Sequence, residues 1–462
     1  MQLSQKAIER TGEVFLRAQL GDKRLERRAA ALAQALAENP KVSLPQAWST
    51  SAALEAGYHF LRNPRSNFTA LMAGTQQATY ELALQERSVI VVHDTTDITC
   101  PAAEPEEVGF LPTDKPGFFV HHALCIRHDR TPLGVIWSDV WGRPQRSTGR
   151  KGNVSGSELA KLEERESDRW LEGISEAQLW TDGCEEVIHV LDSEGDSFRI
   201  FEHLQALDAD FVIRLRHDRR IEDGLLCEEL ADAPIKLRRS ISVSARKQKS
   251  APSTAHSERA SREAELSIRC GRVRLQPPRY MSKASEIELH VVQVLEENPP
   301  PGCEPVAWVI ATSLPIQTRA QIERVIDVYR ARWVIEEFHK ALKTGCMFEK
   351  RQLESFESIT TLLALSYPIA SELLRVRSRA RQQGIPASEV LRPTLLDCLR
   401  AHPDLRRLSD NPSAEEALGA IAGMGGHIKW NGPPGWQTLA AGYVQLLAFE
   451  KGWLAALRAQ KI

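Results

Sequence analysis

The sequence predicts a mixed α/β core flanked by helical N- and C-terminal regions. Ala- and Leu-rich helical stretches fill residues 1–65 and 358–462, short β-branched apolar runs recur between 88 and 311, and a polar, helix-prone stretch at about 157–179 separates two of those runs. At roughly 100–200 residues per domain, 462 residues imply about three domains. A net charge of −2 names no partner, so any nucleic-acid surface must be a local patch. With 42% hydrophobic and 26% charged residues the composition is that of a globular chain and excludes global disorder.

The stretch from Arg24 to Glu38 is Ala-rich and favours helix intrinsically. Ten Lys and Arg against six Asp and Glu over residues 1–70 leave a modest basic bias. Lys23, Arg24, Arg27, Arg28, Arg62 and Arg65 could hold phosphates or could form a solvated helix face. Ser88–Asp94 is a β-branched run that stops at a carboxylate, and Phe118–Arg127 with Leu133–Trp141 has the pattern of a hairpin. Glu186–Asp192 is a second apolar run ending on Asp, followed by Ser193-Glu194-Gly195 as a turn; Asp210–Arg216 is another strand. Residues 236–283 carry thirteen Lys and Arg against three Glu within short β-like runs, which reads as a basic β insertion and the best electrostatic footprint for a polyanion. After the loop 296–305 comes a strand, Val306–Ala311, and then one long helix over Thr318–Thr344.

An Asp at a strand end is often only a turn residue. If the two Asp-terminated strands are neighbours, however, Asp94 and Asp192 meet at one sheet edge, where like charges are costly unless a cation sits between them. Hard divalent cations such as Mg²⁺ take oxygen ligands of this kind. On the long helix, at about 100° per residue, Tyr329, Arg332, Glu336 and Lys343 fall within roughly 60° of one another. A face turned toward a metal-bound phosphate accounts for that set, since the carboxylate completes a metal site and the two cations offset phosphate charge. A surface helix with an Arg332–Glu336 ion pair is the other reading. His121 and His122 point to opposite faces of their strand, which suits packing or solvent contact better than a shared metal. The sequence has no GxSxG elbow and no phosphate loop, so neither a serine hydrolase nor an ATP-dependent enzyme is implied.

His93-Asp-Thr-Thr-Asp97, Leu191-Asp-Ser-Glu-Gly195 and the Tyr329, Arg332, Glu336, Lys343 series resemble the three acidic blocks of DDE transposases of the insertion-sequence-four type, nearest to the branch of bacterial composite transposon five. Ile335–Gly345, Leu20–Arg24, Gly57–Pro64 and Phe211–Arg214 carry the same resemblance, which runs from about residue 10 to 375. One departure is Ser193, where that family usually has Arg after the second acid. The resemblance implies a ribonuclease-H-like mixed sheet with a β insertion at about 220–311 inside a catalytic core of 66–375. A helical DNA-end-binding domain would occupy 1–65 and a helical dimerisation domain 376–462. It implies that Asp94, Asp192 and Glu336 hold two Mg²⁺ or Mn²⁺ ions, and that Tyr329, Arg332 and Lys343 contact phosphates. Trp308 would stack on a flipped base during hairpin formation, or else would be a core residue of its strand. Arg24, Arg28, Arg62 and Arg214 are further expected DNA contacts.

The implied activity is cut-and-paste transposition: binding of double-stranded transposon ends, cleavage through a hairpin, and joining to target DNA by a homodimer. The competing class is a catalytically inactive DNA-binding regulator. Leu439, Tyr443, Leu446, Leu447, Trp453, Leu454 and Leu457 could form the dimerising apolar stripe. Charges at Lys6, Glu9, Arg10, Glu13 and Arg17 interrupt any secretory signal. The least charged stretch near the C-terminus, Trp430–Phe449, is broken by Gly and Pro, so no membrane partner is expected. Eight scattered cysteines without a CxxC pair suit a reducing cytoplasm, in a bacterium by the same resemblance.

Overall fold

The computed structural model describes residues 3–143, 156–222, 224–243, 260–281, 283–380, 382, 384–403, 405, 408–427 and 434–459. The N-terminal region is helical: α1 Gln5–Phe15, α2 Lys23–Glu38, α3 Leu44–Ala47, α4 Ser51–Leu61 and α5 Phe68–Glu86. Ser4, Asp22, Thr50 and Asn67 each accept a hydrogen bond from a free backbone N–H at a helix start, worth about 1 kcal/mol apiece. The chain then runs through β1 Ser88–Thr99, α6 Pro105–Val108, β2 Gly117–Ile126, β3 Pro132–Trp141, α7 Gly156–Trp180, β4 Glu186–Leu191, α8 Phe198–Ala206 and β5 Asp210–Arg214. A mostly β segment follows, with β6 Arg220–Ile221, β7 Gly224–Leu225, α9 Leu226–Asp232, β8 Leu237–Val243, β9 Arg262–Leu275, β10 Ile287–Glu296 and β11 Ala307–Thr312. Then come α10 Arg319–Ala331, α11 Trp333–Lys340, a π turn Ala341–Gly345, α12 Phe356–Ala380, α13 Pro393–Ala401, α14 Ala414–Met424 and α15 Trp436–Ala459.

The described strands form one mixed sheet in the order β3-β2-β1-β4-β5-β11-β10-β9-β6-β7, with β8 also paired to β9. β1, β4 and β5 are mutually parallel at its centre, β2 and β3 extend it antiparallel on one side, and β11 begins the antiparallel extension on the other. Central parallel strands are covered on both faces, hence their uninterrupted apolar runs. Alternate residues divide between the two faces: Ile90, Val92, Ile188, Val190 and Val212 face the helices α10–α12, while on the opposite side Val89, Val91 and Val187 join one cluster and Phe211 and Ile213 another.

The structure differs from three readings of the sequence. β1 does not stop at Asp94. Its pairing with β4 ends at Val92, but β2 carries it on to Thr99. The helix expected over 318–344 is not continuous. It tightens at Arg332, where Arg332 N–H bonds Tyr329 and Ile335 N–H bonds Arg332 with i→i+3 spacing, and it widens at the π turn, where Cys346 N–H reaches Ala341. Among its described residues the basic insertion is also not an open cationic face. Arg238 and Arg269 pair with Glu297, Arg239 with Asp327, Arg262 with Glu296, and Arg272 and Arg274 with Glu288, Arg274 also with Glu222. These five acids lie outside 236–283 and offset about half of the excess of ten counted within the segment. The basic stretch 244–259 lies outside the described residues.

The N-terminal helices run on through α5 to Glu86, and α12 is continuous across position 375. α12 is long and apolar enough to cross a membrane by length and composition, yet 94% of its apolar window is buried among the chain's own elements. It is the common post of the fold, packed by α1, α2, α4 and α5 on the N-terminal side and by α14 on the C-terminal side. Of the expected C-terminal stripe, Leu439, Tyr443 and Leu446 are buried within the chain, whereas Trp453, Leu454 and Leu457 are exposed.

Candidate active site

The sheet register assembles the site. Val92 pairs with Val190, so Asp94 and Asp192 continue in register two residues further along. Leu191 pairs with Ile213, which sets Arg214 beside Asp192 on the next strand. One row across β1, β4 and β5 therefore carries Asp94, Asp192 and Arg214 on the face toward α10–α12. Asp192 also caps the short turn after β4, its Oδ1 accepting from Glu194 N–H at 2.8 Å.

The helices deliver the rest. The tight turn at Tyr329–Arg332 aims Arg332 into the row, with its guanidinium 3.4 Å from Asp94 Oδ2 and 3.5 Å from Glu336 Oε1. Tyr329 is buried beside Arg214. Burial raises its phenol above the usual range, with Arg214 and Arg332 opposing. Trp308, half-buried on β11, packs edge-on against Tyr329 with ring centroids 5.5 Å apart. Lys343, in the π turn, donates to Asp97 Oδ1 at 3.2 Å, three residues beyond Asp94 on β1.

Asp94 is 8% exposed. Burial pushes its carboxyl up to about 8; Asp192, Glu336 and Glu194 add to the rise while Arg332 opposes it. Four carboxylates thus share one field. Glu194 belongs to this group although its sequence context reads only as a turn, and its own carboxyl is raised by burial and then by Asp192. An all-oxygen donor set in which a buried acid resists charging fits a hard divalent cation. Among the described residues no three His, Cys, Asp or Glu side chains stand together at ligand spacing, and Arg332 bridges Asp94 and Glu336.

Arg24, Arg28 and Arg62 are not part of this cluster. They lie exposed on α2 and at the end of α4. Asp22, the cap of α2, is within electrostatic reach of both Arg24 and Arg65, which adds positive charge near the start of α2. Arg238, Arg239, Arg262, Arg269, Arg272 and Arg274 of the β segment are ion-paired, whereas of the N-terminal three only Arg24 has a nearby acid, Asp22 at 3.5 Å, so the two groups should differ in their effect on DNA binding. Replacing Arg24, Arg28 and Arg62 together by alanine should lower the slope of log affinity against log salt by about 2–3. Replacing Arg272 and Arg274 should leave it unchanged, and a filter-binding titration over salt reads both.

Comparison with known proteins places names beside this geometry. Residues 11–66 match the family model Transposase DNA-binding, and residues 169–367 match Transposase DDE domain. The first range includes Arg24, Arg28 and Arg62. The second includes Asp192, Arg214, Trp308, Tyr329, Arg332, Glu336 and Lys343, while Asp94 precedes it. A cryo-EM structure of the piggyBac transposase synaptic complex with hairpin DNA is similar at a TM-score of 0.36 and 11% identity, over 75% of this chain and 63% of that one. The chain thus spans less than two thirds of that transposase's length.

Proposed function

We propose, from the premise that this chain is a DDE transposase by its two matched domains, that it is a cut-and-paste enzyme of the insertion-sequence-four type, near bacterial composite transposon five. In this reading β1–β5 form a ribonuclease-H-like core of about 66–375. Residues 1–65 bind transposon ends, the strands at about 220–311 are its insertion, and residues 376–462 support a homodimer on DNA, acting in the bacterial cytoplasm. The observation that carries the reading is the single row of Asp94, Asp192 and Arg214, with Arg332 joining it to Glu336.

Asp94, Asp192 and Glu336 would hold the divalent ions. When bound, a Mg²⁺ or Mn²⁺ pair supplies activation of the attacking oxygen and stabilisation of the leaving oxygen at the phosphate. The protein's own groups do the remaining work. Arg332 and Arg214 present guanidinium forks that suit phosphate oxygens, and Tyr329, beside Arg214, adds a hydroxyl near the same row. A phosphate arriving beside Arg332 competes for the guanidinium with Asp94 and Glu336 and leaves their oxygens for metal. Lys343 adds charge at the rim. Arg24, Arg28 and Arg62 track the end duplex, and Trp453, Leu454 and Leu457 offer apolar surface to a second subunit.

Incubating the full-length protein with labelled end-containing DNA and Mg²⁺ tests the reading. Nicked, hairpinned and strand-joined products are expected; DNA bound tightly but uncut in either metal would replace it with the non-catalytic regulator. Within the same assay, Trp308→Ala should slow hairpin formation about tenfold or more while the first nick stays near the wild-type rate, because stacking on an unpaired base is worth about 1–3 kcal/mol. Equal slowing of both steps would assign Trp308 to packing on Tyr329.

A further inference from the structure

Behind the carboxylate row lies a chain of buried polar side chains that the reaction itself does not use. His122 stands directly opposite Asp94 in the β1–β2 pairing. Its Nδ1 lies 3.3 Å from His339 Nε2, on α11 one turn beyond Glu336. Its Nε2 lies 3.1 Å from the Tyr367 hydroxyl of α12, which is 2.9 Å from Ser138 Oγ on β3. Ser138 Oγ in turn donates to the His121 carbonyl at 2.9 Å. His122 and Tyr367 are fully buried and His339 is 7% exposed.

The proton positions follow from counting donors. Ser138 has one hydroxyl proton and uses it on the His121 carbonyl, so at the next contact Tyr367 must donate. Tyr367 then accepts from His122, which requires Nε2–H. The remaining nitrogen of His122, Nδ1, is an acceptor, so His339 must donate from Nε2–H. Burial keeps both imidazoles neutral, and two charged rings would set donor against donor at the His122–His339 contact. Every link therefore runs one way, from the helix of Glu336 to the backbone beside the strand of Asp94.

We infer that His339, His122, Tyr367 and Ser138 form a positioning relay that fixes the helix bearing Glu336 against the strand bearing Asp94 and so sets the spacing at which these two acids can share a metal ion. None of the four touches substrate; they act through Asp94 and Glu336, and the inference rests on the reading of those two as ligands. Hydrogen-bonded partners behind metal ligands commonly change metal affinity 10–100-fold when removed. The arrangement also explains why a Tyr is kept in the apolar interior of α12, where its hydroxyl is a burden unless partnered.

The test is calorimetric titration of the full-length protein with Mn²⁺, with end binding and thermal stability measured on each variant. Tyr367→Phe, which removes one oxygen, and His339→Leu should each weaken Mn²⁺ binding about tenfold while end affinity stays within about twofold. His339→Gln, whose side-chain amide can still donate to His122, should recover most of the loss, which a merely structural role would not produce. His189→Gln, at a buried imidazole that pairs in register with Val91 on the opposite face of the sheet, should alter stability but not Mn²⁺ affinity. Wild-type Mn²⁺ affinity in both Tyr367→Phe and His339→Leu, or no recovery in His339→Gln, overturns the relay. Asp94→Asn separates the two levels: if it too binds Mn²⁺ like the wild type, the metal-site reading has failed, and if only it loses the metal, the relay alone has.

Discussion

Asp192→Asn is expected to leave end binding within about twofold of wild type and to reduce strand cleavage by at least about a thousandfold, or roughly 4 kcal/mol of barrier. The substitution keeps shape and the turn: an asparagine Oδ1 can still accept from Glu194 N–H as Asp192 does at 2.8 Å, so the start of the short helix after β4 is preserved. What disappears is negative charge at the centre of the row, between Asp94 on β1 and Arg214 on β5. An amide oxygen is a poor ligand for a hard dication beside the carboxylate it replaces. If Arg24, Arg28 and Arg62 bind the end as proposed, binding and cleavage are separable, because these residues sit on other elements. A variant that cuts at the wild-type rate removes Asp192 from the metal site.

Asp94→Asn should lose cleavage as well, and in metal-free buffer it should make the protein more stable at neutral and alkaline pH. The folded Asp94 carboxyl is pushed up to about 8 from an ordinary value of 3.8, by burial first and then by Asp192. An acid whose value is raised by folding holds its proton more tightly in the native state. Stability from this group is therefore greatest at low pH, declines as pH rises from about 4, and is fully lost above about 8. The penalty grows by at most about 1.4 kcal/mol per pH unit and amounts to a few kcal/mol. Thermal melts in chelator at pH 5 to 8 should show the wild type losing several degrees relative to Asp94→Asn toward the alkaline end. Added Mg²⁺ should narrow the gap in the wild type and do nothing for the variant. Parallel melting profiles with a constant offset would mean that Asp94 is an ordinary, solvated acid.

The features visible in the sequence were those with a local cause. β-branched runs marked β1, β4, β5 and β11, alternation and a turn marked the β2–β3 hairpin, and helical spacing gathered Tyr329, Arg332, Glu336 and Lys343. The missing pieces depend on partners distant in the chain. Nothing near Asp94 announces that β2 will carry its strand to Thr99 after β4 has left. The tightening at Arg332 involves neither Gly nor Pro. Arg262 looks like a free cation until β10 brings Glu296 to it, and Glu194 looks like a turn residue until Asp94 is set nearby. His122 and His339, separated by 217 positions, could not be joined without the register of β1 with β2 and the packing of α11 upon it.

The role of α12 as a shared post has a consequence for how the molecule is made. The helices that present Arg24, Arg28 and Arg62 leave the ribosome before the surface they close upon, from Phe356 to Ala380, which is synthesised some three hundred residues later. Their apolar faces must wait, shielded by one another or by a chaperone, until translation reaches that segment. If these helices bind DNA as proposed, a product terminated before α12 would grip it poorly, and competence to engage DNA would arrive only after α11, the helix of Glu336, had been made.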